Sequence, residues 1–90
     1  MNYKITRYTL DRAKQFNVIV KPSKLRPYKI DVFNPSGKLI TRIGHIDYPD
    51  YPTYIKTHGQ AYADIRRKNY LARSKNYKTD RGRYARILLW

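Results

Sequence analysis

Apolar and polar positions alternate most regularly in the middle of the chain. In Tyr28–Phe33, Ile30 and Val32 alternate with Lys29 and Asp31; in Lys38–Ile43, Leu39 and Ile43 are spaced by Lys38, Ile40 and Arg42. Between the two runs lie Asn34, Pro35, Ser36 and Gly37, and Asn first, Pro second and Gly fourth is the signature of a type I turn. The pattern predicts an antiparallel β-hairpin over 28–44, ended by Gly44, with one face in the core and the other partly solvated. Upstream, Val18, Ile19 and Val20 favour β-structure until Pro22. Residues 21–29 hold two prolines and four lysines or arginines and read as an extended connection.

Helical spacing appears on both sides of the hairpin. Thr9 reads as an N-cap, with Asp11 in the first turn where the helix dipole favours a negative charge. Leu10, Ala13 and Phe16 then share a face, and Asn17 can end the turn in the left-handed conformation. This gives a short helix over 9–17, preceded by an arm, residues 1–8, expected to order on a partner. Pro52 suits the first position of a helix running to His58 and stopping at Gly59, with Asp50 near its N-terminal end. A second helix from Gln60 to Lys75 carries a narrow apolar stripe of Ala61, Ile65 and Ala72 beneath a broad basic surface. Residues 76–83 read as a polar loop. The closing 84–90 segment is too apolar to hang in water; it either completes the core or plugs into a neighbour through Leu88, Leu89 and Trp90. The expected fold class is α+β: a small single domain, 1–90, with a two- or three-stranded antiparallel sheet packed against two or three short helices.

Charge changes the picture most. Twenty Lys and Arg oppose six acids, all Asp, for a net charge of +14. Self-repulsion of this size opposes compaction and calls for an anionic partner, of which nucleic acid is the commonest for so basic a domain. Ten tyrosines add rings that pack while keeping a hydroxyl for hydrogen bonding. From Arg66 to Arg86 nine Lys or Arg are interleaved with Tyr70, Tyr77 and Tyr84 around a single acid, Asp80. Arg offers phosphate a rigid fork, and Tyr can stack on bases. The expected contacts are Arg66, Arg67, Lys68, Arg73, Lys75, Arg81, Arg83 and Arg86, with Tyr70 and Tyr77.

Catalytic chemistry finds little support. The chain has no Cys, no serine in a strand–turn–helix elbow, and four isolated glycines that start no phosphate loop. His45, Asp47, Asp50 and His58 are conceivable as a divalent-metal nuclease site, but their spacing matches no recognised ligand set, and Asp50 and His58 suit helix ends better. No cofactor, metal or catalytic residue is expected, and the reading is non-enzymatic. No run has the length of a transmembrane span, the N-terminal stretch lacks the apolar core of a secretory signal, and the longer helix has too thin an apolar face for a membrane surface. Intracellular folding is the expected setting. With no helix-turn-helix, zinc-finger or ribonucleoprotein strand signature, binding should follow the phosphate backbone rather than base sequence.

Residues 20–90 also carry a resemblance. Gly44 after the hairpin, Tyr51-Pro52-Thr53-Tyr54, Arg66-Arg67 followed by Tyr70, and the Leu88-Leu89-Trp90 ending resemble a family of short basic proteins of unknown function from large DNA viruses and phage-like or metagenomic viral genomes. Members often carry His after the Tyr-Leu-x-Arg stretch, where this chain has Ser74 after Arg73. The resemblance implies a viral gene product, with the virion or the host-cell interior as its expected location. Together with the charge it leads to a non-enzymatic, sequence-independent binder of nucleic acid, DNA before RNA, in genome packaging. The alternative is a minor capsid or cement protein docking on acidic coat surfaces through its tyrosines and Leu88, Leu89 and Trp90. A small nuclease comes third.

Overall fold

The computed structural model describes residues 3–90. Its elements are α1 (Arg7–Gln15), β1 (Ile19–Pro22), β2 (Tyr28–Phe33), β3 (Leu39–His45), α2 (Tyr51–His58), α3 (Gln60–Ser74) and α4 (Asp80–Leu89), an α+β arrangement. β2 is the central strand of a three-stranded antiparallel sheet, order β1-β2-β3. The Asn34–Gly37 turn forms as its residues dictate: the Gly37 N–H donates to the Asn34 carbonyl at 2.9 Å, and the Asn34 side-chain oxygen accepts from the Lys38 N–H at 2.9 Å. Val20 opposes Val32, Ile30 opposes Ile43, and Ile30, Val32 and Ile43 are wholly buried.

The expected partnership of Leu39 with Ile43 fails for a local reason. Val32 pairs with Thr41 but Phe33 pairs with Leu39, so Ile40 is an extra residue in β3. Such a bulge reverses the alternation. Leu39 turns outward, and Ile40 packs against the core in its place.

α4 closes the core. Leu88 and Leu89 are buried with Ala85, Ala13 and the β2–β3 isoleucines. Full burial of a leucine stabilises by about 1.5–3 kcal/mol, which accounts for the apolar ending without a neighbour. The segment read as a loop over 76–83 is helical from Asp80. The Thr79 hydroxyl caps the Gly82 N–H at 3.1 Å, and Asp80 occupies the first turn. Gly82 lies in the first turn of this helix, and its missing side chain leaves room for Tyr77: a Cβ there would lie 2.7 Å from the Tyr77 Cβ.

α1 starts two residues earlier than expected because Thr6, not Thr9, is the N-cap; its hydroxyl accepts from the Thr9 N–H at 3.3 Å. Thr9 has a different task. Its buried hydroxyl donates to the Leu88 carbonyl at 2.7 Å, beside Tyr8 donating to the Trp90 carbonyl at 3.0 Å and Arg12 donating to the Ile87 carbonyl. The last carbonyls of a helix have no partner within it; α1 supplies those of α4. The face of α1 that packs is therefore Thr9 and Ala13, while Leu10 and Phe16 are exposed. Asn17 adopts the left-handed conformation, φ 57°. The expected partner-dependent arm is docked from Tyr3 onward: Tyr3 and Ile5 pack on the core, and Arg7 and Tyr8 belong to α1. Residues 1 and 2 of that arm lie outside the described residues.

α2 and α3 pack chiefly on each other, hinged at Gly59. Asp50 caps α2, its carboxylate accepting from the Thr53 N–H at 3.1 Å and the Thr53 hydroxyl at 2.6 Å. The apolar stripe expected on α3 faces the wrong way. Ala61, Ile65 and Ala72 are exposed, whereas Ala63 and Ser74 are buried and Arg67, Tyr70 and Leu71 are half-buried between them. The inner face follows positions 63, 67, 70, 71 and 74, a helical repeat built partly from polar side chains.

Candidate nucleic-acid interface

A cleft of about 740 Å³ opens where the end of the sheet, the start of α2, the middle of α3 and the start of α4 meet. Its floor is charged but neutralised. Lys29, on β2, and Asp50 are both buried and lie 3.0 Å apart; the Lys29 ammonium also donates to the Tyr48 carbonyl, and the Tyr3 hydroxyl donates to Asp50 at 2.6 Å. Burial alone would push the Asp50 carboxyl up, but the Lys29 ammonium and the hydrogen bonds from Thr53, Tyr3 and Lys29 outweigh it and hold it below the ordinary range. The Tyr3 hydroxyl moves the other way: burial and the adjacent carboxylate push it above the usual phenol value.

The walls are aromatic and basic. Tyr28, Tyr48, Tyr54, Tyr70, Tyr77 and Trp90 line the cleft with Arg66, Arg73, Arg81 and His45. Trp90 stacks on Tyr70 at 4.4 Å between ring centroids, 10° from parallel. Three guanidiniums lie over three rings: Arg66 over Tyr54 at 5.5 Å, Arg73 over Tyr70 at 5.5 Å, and Arg81 over Tyr28 at 4.8 Å. A guanidinium drawn to a ring by cation–π attraction can still turn N–H donors to an anion. Arg81 spends its Nε on the Arg42 carbonyl at 3.2 Å and keeps its terminal nitrogens. Among the described residues the one side-chain carboxylate on the lining is Asp50, already paired. Burial pushes the Tyr70 hydroxyl above its ordinary value, against the pull of Arg73 and Arg86.

The basic residues singled out from the sequence separate into three groups. Arg66, Arg73 and Arg81 converge on the cleft with Tyr70 and Tyr77. Lys68, Lys75 and Arg83 are exposed but lie off its lining. Arg67 and Arg86 are taken up by the fold: Arg67 donates to the Trp90 carbonyl at 2.6 Å and lies over the Tyr51 ring, and half-buried Arg86 reaches the Leu71 carbonyl at 3.4 Å. The expected docking group is also withdrawn. Leu88 and Leu89 are buried in the chain's own core and cannot plug a neighbour, and Trp90 is a half-buried wall of the cleft.

Tyr28, Tyr48, Tyr54, Lys29 and His45 belong to the lining although sequence reasoning did not select them. Tyr28 and Arg81 are far apart along the chain, and no local periodicity links them. The usable signal was the surplus of tyrosine over what a core of this size needs. The histidine–aspartate set has other occupations. The His45 ring accepts from the Asp47 N–H at 3.1 Å, Asp50 is the α2 cap, and His58 ends α2 stacked on Tyr62. Among the described residues no group of three or more His, Cys, Asp or Glu is placed to hold a metal ion, and no helix is long and apolar enough to cross a membrane. Comparison with protein-family models, with curated proteins and with solved structures gave no match.

Proposed function

We propose that this protein binds nucleic acid through its phosphates, without reading sequence, DNA ahead of RNA, and that it does so as a genome-packaging or virion-associated protein rather than as an enzyme. The observation that carries the reading is the convergence of Arg66, Arg73 and Arg81 on one cleft, each guanidinium laid over a tyrosine ring with donors to spare. The net charge of +14 supplies the long-range attraction. One observation supports the absence of sequence reading: among the described residues the single side-chain carboxylate on the lining, Asp50, already accepts from Lys29, Tyr3 and Thr53. A cytosine amino group would find no free side-chain carboxylate there. The virion setting rests on the resemblance of residues 20–90 and on charge alone. The cement alternative loses its apolar plug with the burial of Leu88 and Leu89.

The test is binding of the full chain to labelled duplex and single-stranded oligonucleotides of unrelated sequence across a salt series. Phosphate binding predicts affinity that falls with a log–log slope of about 0.9 per phosphate engaged on duplex, and about 0.7 on single strands. Similar affinity for unrelated sequences is expected. No binding at low salt would remove this reading.

A further inference from the structure

Charge accounts for the arginines of the cleft but not for its aromatic walls. A duplex turns its bases inward and offers a protein mainly phosphate, which needs no six-ring lining. The cleft has about the volume of pockets that enclose small ligands, roughly 300–1,000 Å³. Two of its tyrosines are exposed: Tyr48, on the connection between β3 and α2, is 68% exposed with its ring 5.0 Å from that of His45, and Tyr77, on the connection between α3 and α4, is 45% exposed beside Gly82. Neither ring belongs to the core cluster. Exposed rings set among guanidiniums form the environment that receives a flat, apolar group carrying negative charge beside it.

We propose that the cleft seats an unpaired nucleobase of a single-stranded nucleic acid, stacked on Tyr48 or Tyr77, while Arg66, Arg73 and Arg81 hold the adjoining phosphates. This rests on the phosphate-binding reading and narrows it to single strands. Every base has a π-face, so stacking tolerates any sequence. The lining agrees with that tolerance, because its buried polar groups are already paired with one another. The arginines over Tyr54, Tyr70 and Tyr28 fix where the phosphates lie, and the exposed rings fix where the base between them goes. Trp90, the sole tryptophan, lines the same cleft and reports its occupancy.

The experiment is a titration of the full chain, followed by Trp90 fluorescence and by competition, with four probes: an oligothymidylate, an oligomer of equal length and charge lacking bases, a duplex, and a thymidine mononucleotide. The expected result is that the oligothymidylate shifts Trp90 emission and binds about five- to 150-fold more tightly than the abasic oligomer, the range of one base stacked on an aromatic side chain. Tyr48→Ala and Tyr77→Ala should close much of that gap while leaving the abasic affinity and the far-ultraviolet circular dichroism unchanged. Equal affinity for the oligothymidylate and the abasic oligomer, with silent Trp90 emission, would overturn the base site and leave phosphate binding intact. A mononucleotide that binds as tightly as the oligomer would overturn the polymer as ligand. Failure of every probe at low salt would remove the phosphate reading and the base site with it.

Discussion

Around α1, the sheet and α4 the protein is sealed by aliphatic side chains: Ile30, Val32, Ile43, Leu88 and Leu89 are buried, and α1 supplies hydrogen bonds to the last carbonyls of α4. Around the α2–α3 pair, the junction with the rest of the chain is made by other means. Tyr3 reaches Asp50, Tyr8 meets the Tyr51 ring edge-on at 5.4 Å, Arg67 reaches the Trp90 carbonyl, and Trp90 stacks on Tyr70. The first region is held by non-directional burial, the second by directional polar and aromatic interactions at the borders of a cleft. The difference teaches where a small, highly charged chain can place a binding site. Aliphatic packing near the sheet secures the fold, and the aromatic side leaves room for a cleft lined by cations.

That contrast breaks most visibly at Asp50, where the polar region has its one buried ion pair. Replacing Asp50 by Asn keeps an oxygen for the α2 cap but leaves the Lys29 ammonium buried without its counter-charge. Removing one partner of such a pair costs about 3–5 kcal/mol, a large part of the roughly 5–15 kcal/mol that holds a domain together. Urea unfolding measures it. The pH dependence has a definite sign. The folded carboxyl lies below its unfolded value of about 3.9, so its contribution is present in full above that pH and is lost as pH falls through the folded value. Asp50→Asn should therefore also flatten the acid limb of the stability curve.

In the aliphatic region, Leu88→Ala should cost about 2–5 kcal/mol through reduced burial and the cavity left behind. Once the folded fraction is allowed for, its effect on nucleic-acid affinity should be small, since Leu88 does not line the cleft. A loss of affinity from the folded variant would mean that the two regions are coupled.

Gly82→Ala tests their border. The added Cβ would meet the Tyr77 Cβ at 2.7 Å, where neither atom is the flexible end of a side chain. Overpacking of this kind costs about 1–3 kcal/mol, and the strain falls on a wall of the cleft. Gly44→Ala presses on the cleft from the sheet side: φ is +74°, and the new atom would lie 2.9 Å from Leu89 Cδ1 and 3.0 Å from Lys29 Cδ, both on the lining. Thermal unfolding should show the larger stability loss for Gly44→Ala, which adds left-handed backbone strain to the clash, and both variants should bind more weakly because both positions line the cleft.

The same division separates what was legible in the sequence from what was not. The hairpin announced itself because strand alternation and turn chemistry are local, and the Asn34–Gly37 turn needs no tertiary partner. Asp50 as a cap and Asn17 as a left-handed stop were readable for the same reason. Thr9 was not, because its hydroxyl is claimed by the Leu88 carbonyl, a partner that only the folded chain supplies. The stripe of α3 misled because its inner face uses Arg67, Tyr70 and Ser74, side chains that apolar periodicity does not count. The basic segment 66–86 was visible as charge, but which arginines reach the cleft and which are absorbed by backbone carbonyls depends on how α3 and α4 face each other. Tyr28 enters the site only through the sheet.

Arginines and lysines of the same segment give the finest test, because charge can be removed equally on and off the cleft. Arg66, Arg73 and Arg81 line it; Lys68, Lys75 and Arg83 do not. Substituting either set with alanine lowers the net charge by the same amount, so the long-range attraction falls equally in both triple variants. Stability should fall further for the cleft set, since surface substitutions usually stay within about 0.5 kcal/mol each and every guanidinium taken off a ring face adds up to about 1 kcal/mol, so affinities are compared for the folded fraction. Only the cleft set gives up guanidiniums already held in place by tyrosine rings. Its log–log salt slope on single strands should drop by about two units, at about 0.7 per phosphate engaged. The outer set should keep most of the slope and bind more slowly, because charges outside an interface act mainly by steering. An equal fall in slope for both variants would mean that phosphates are gathered by the whole basic surface and that the ring-held arginines have no privileged part.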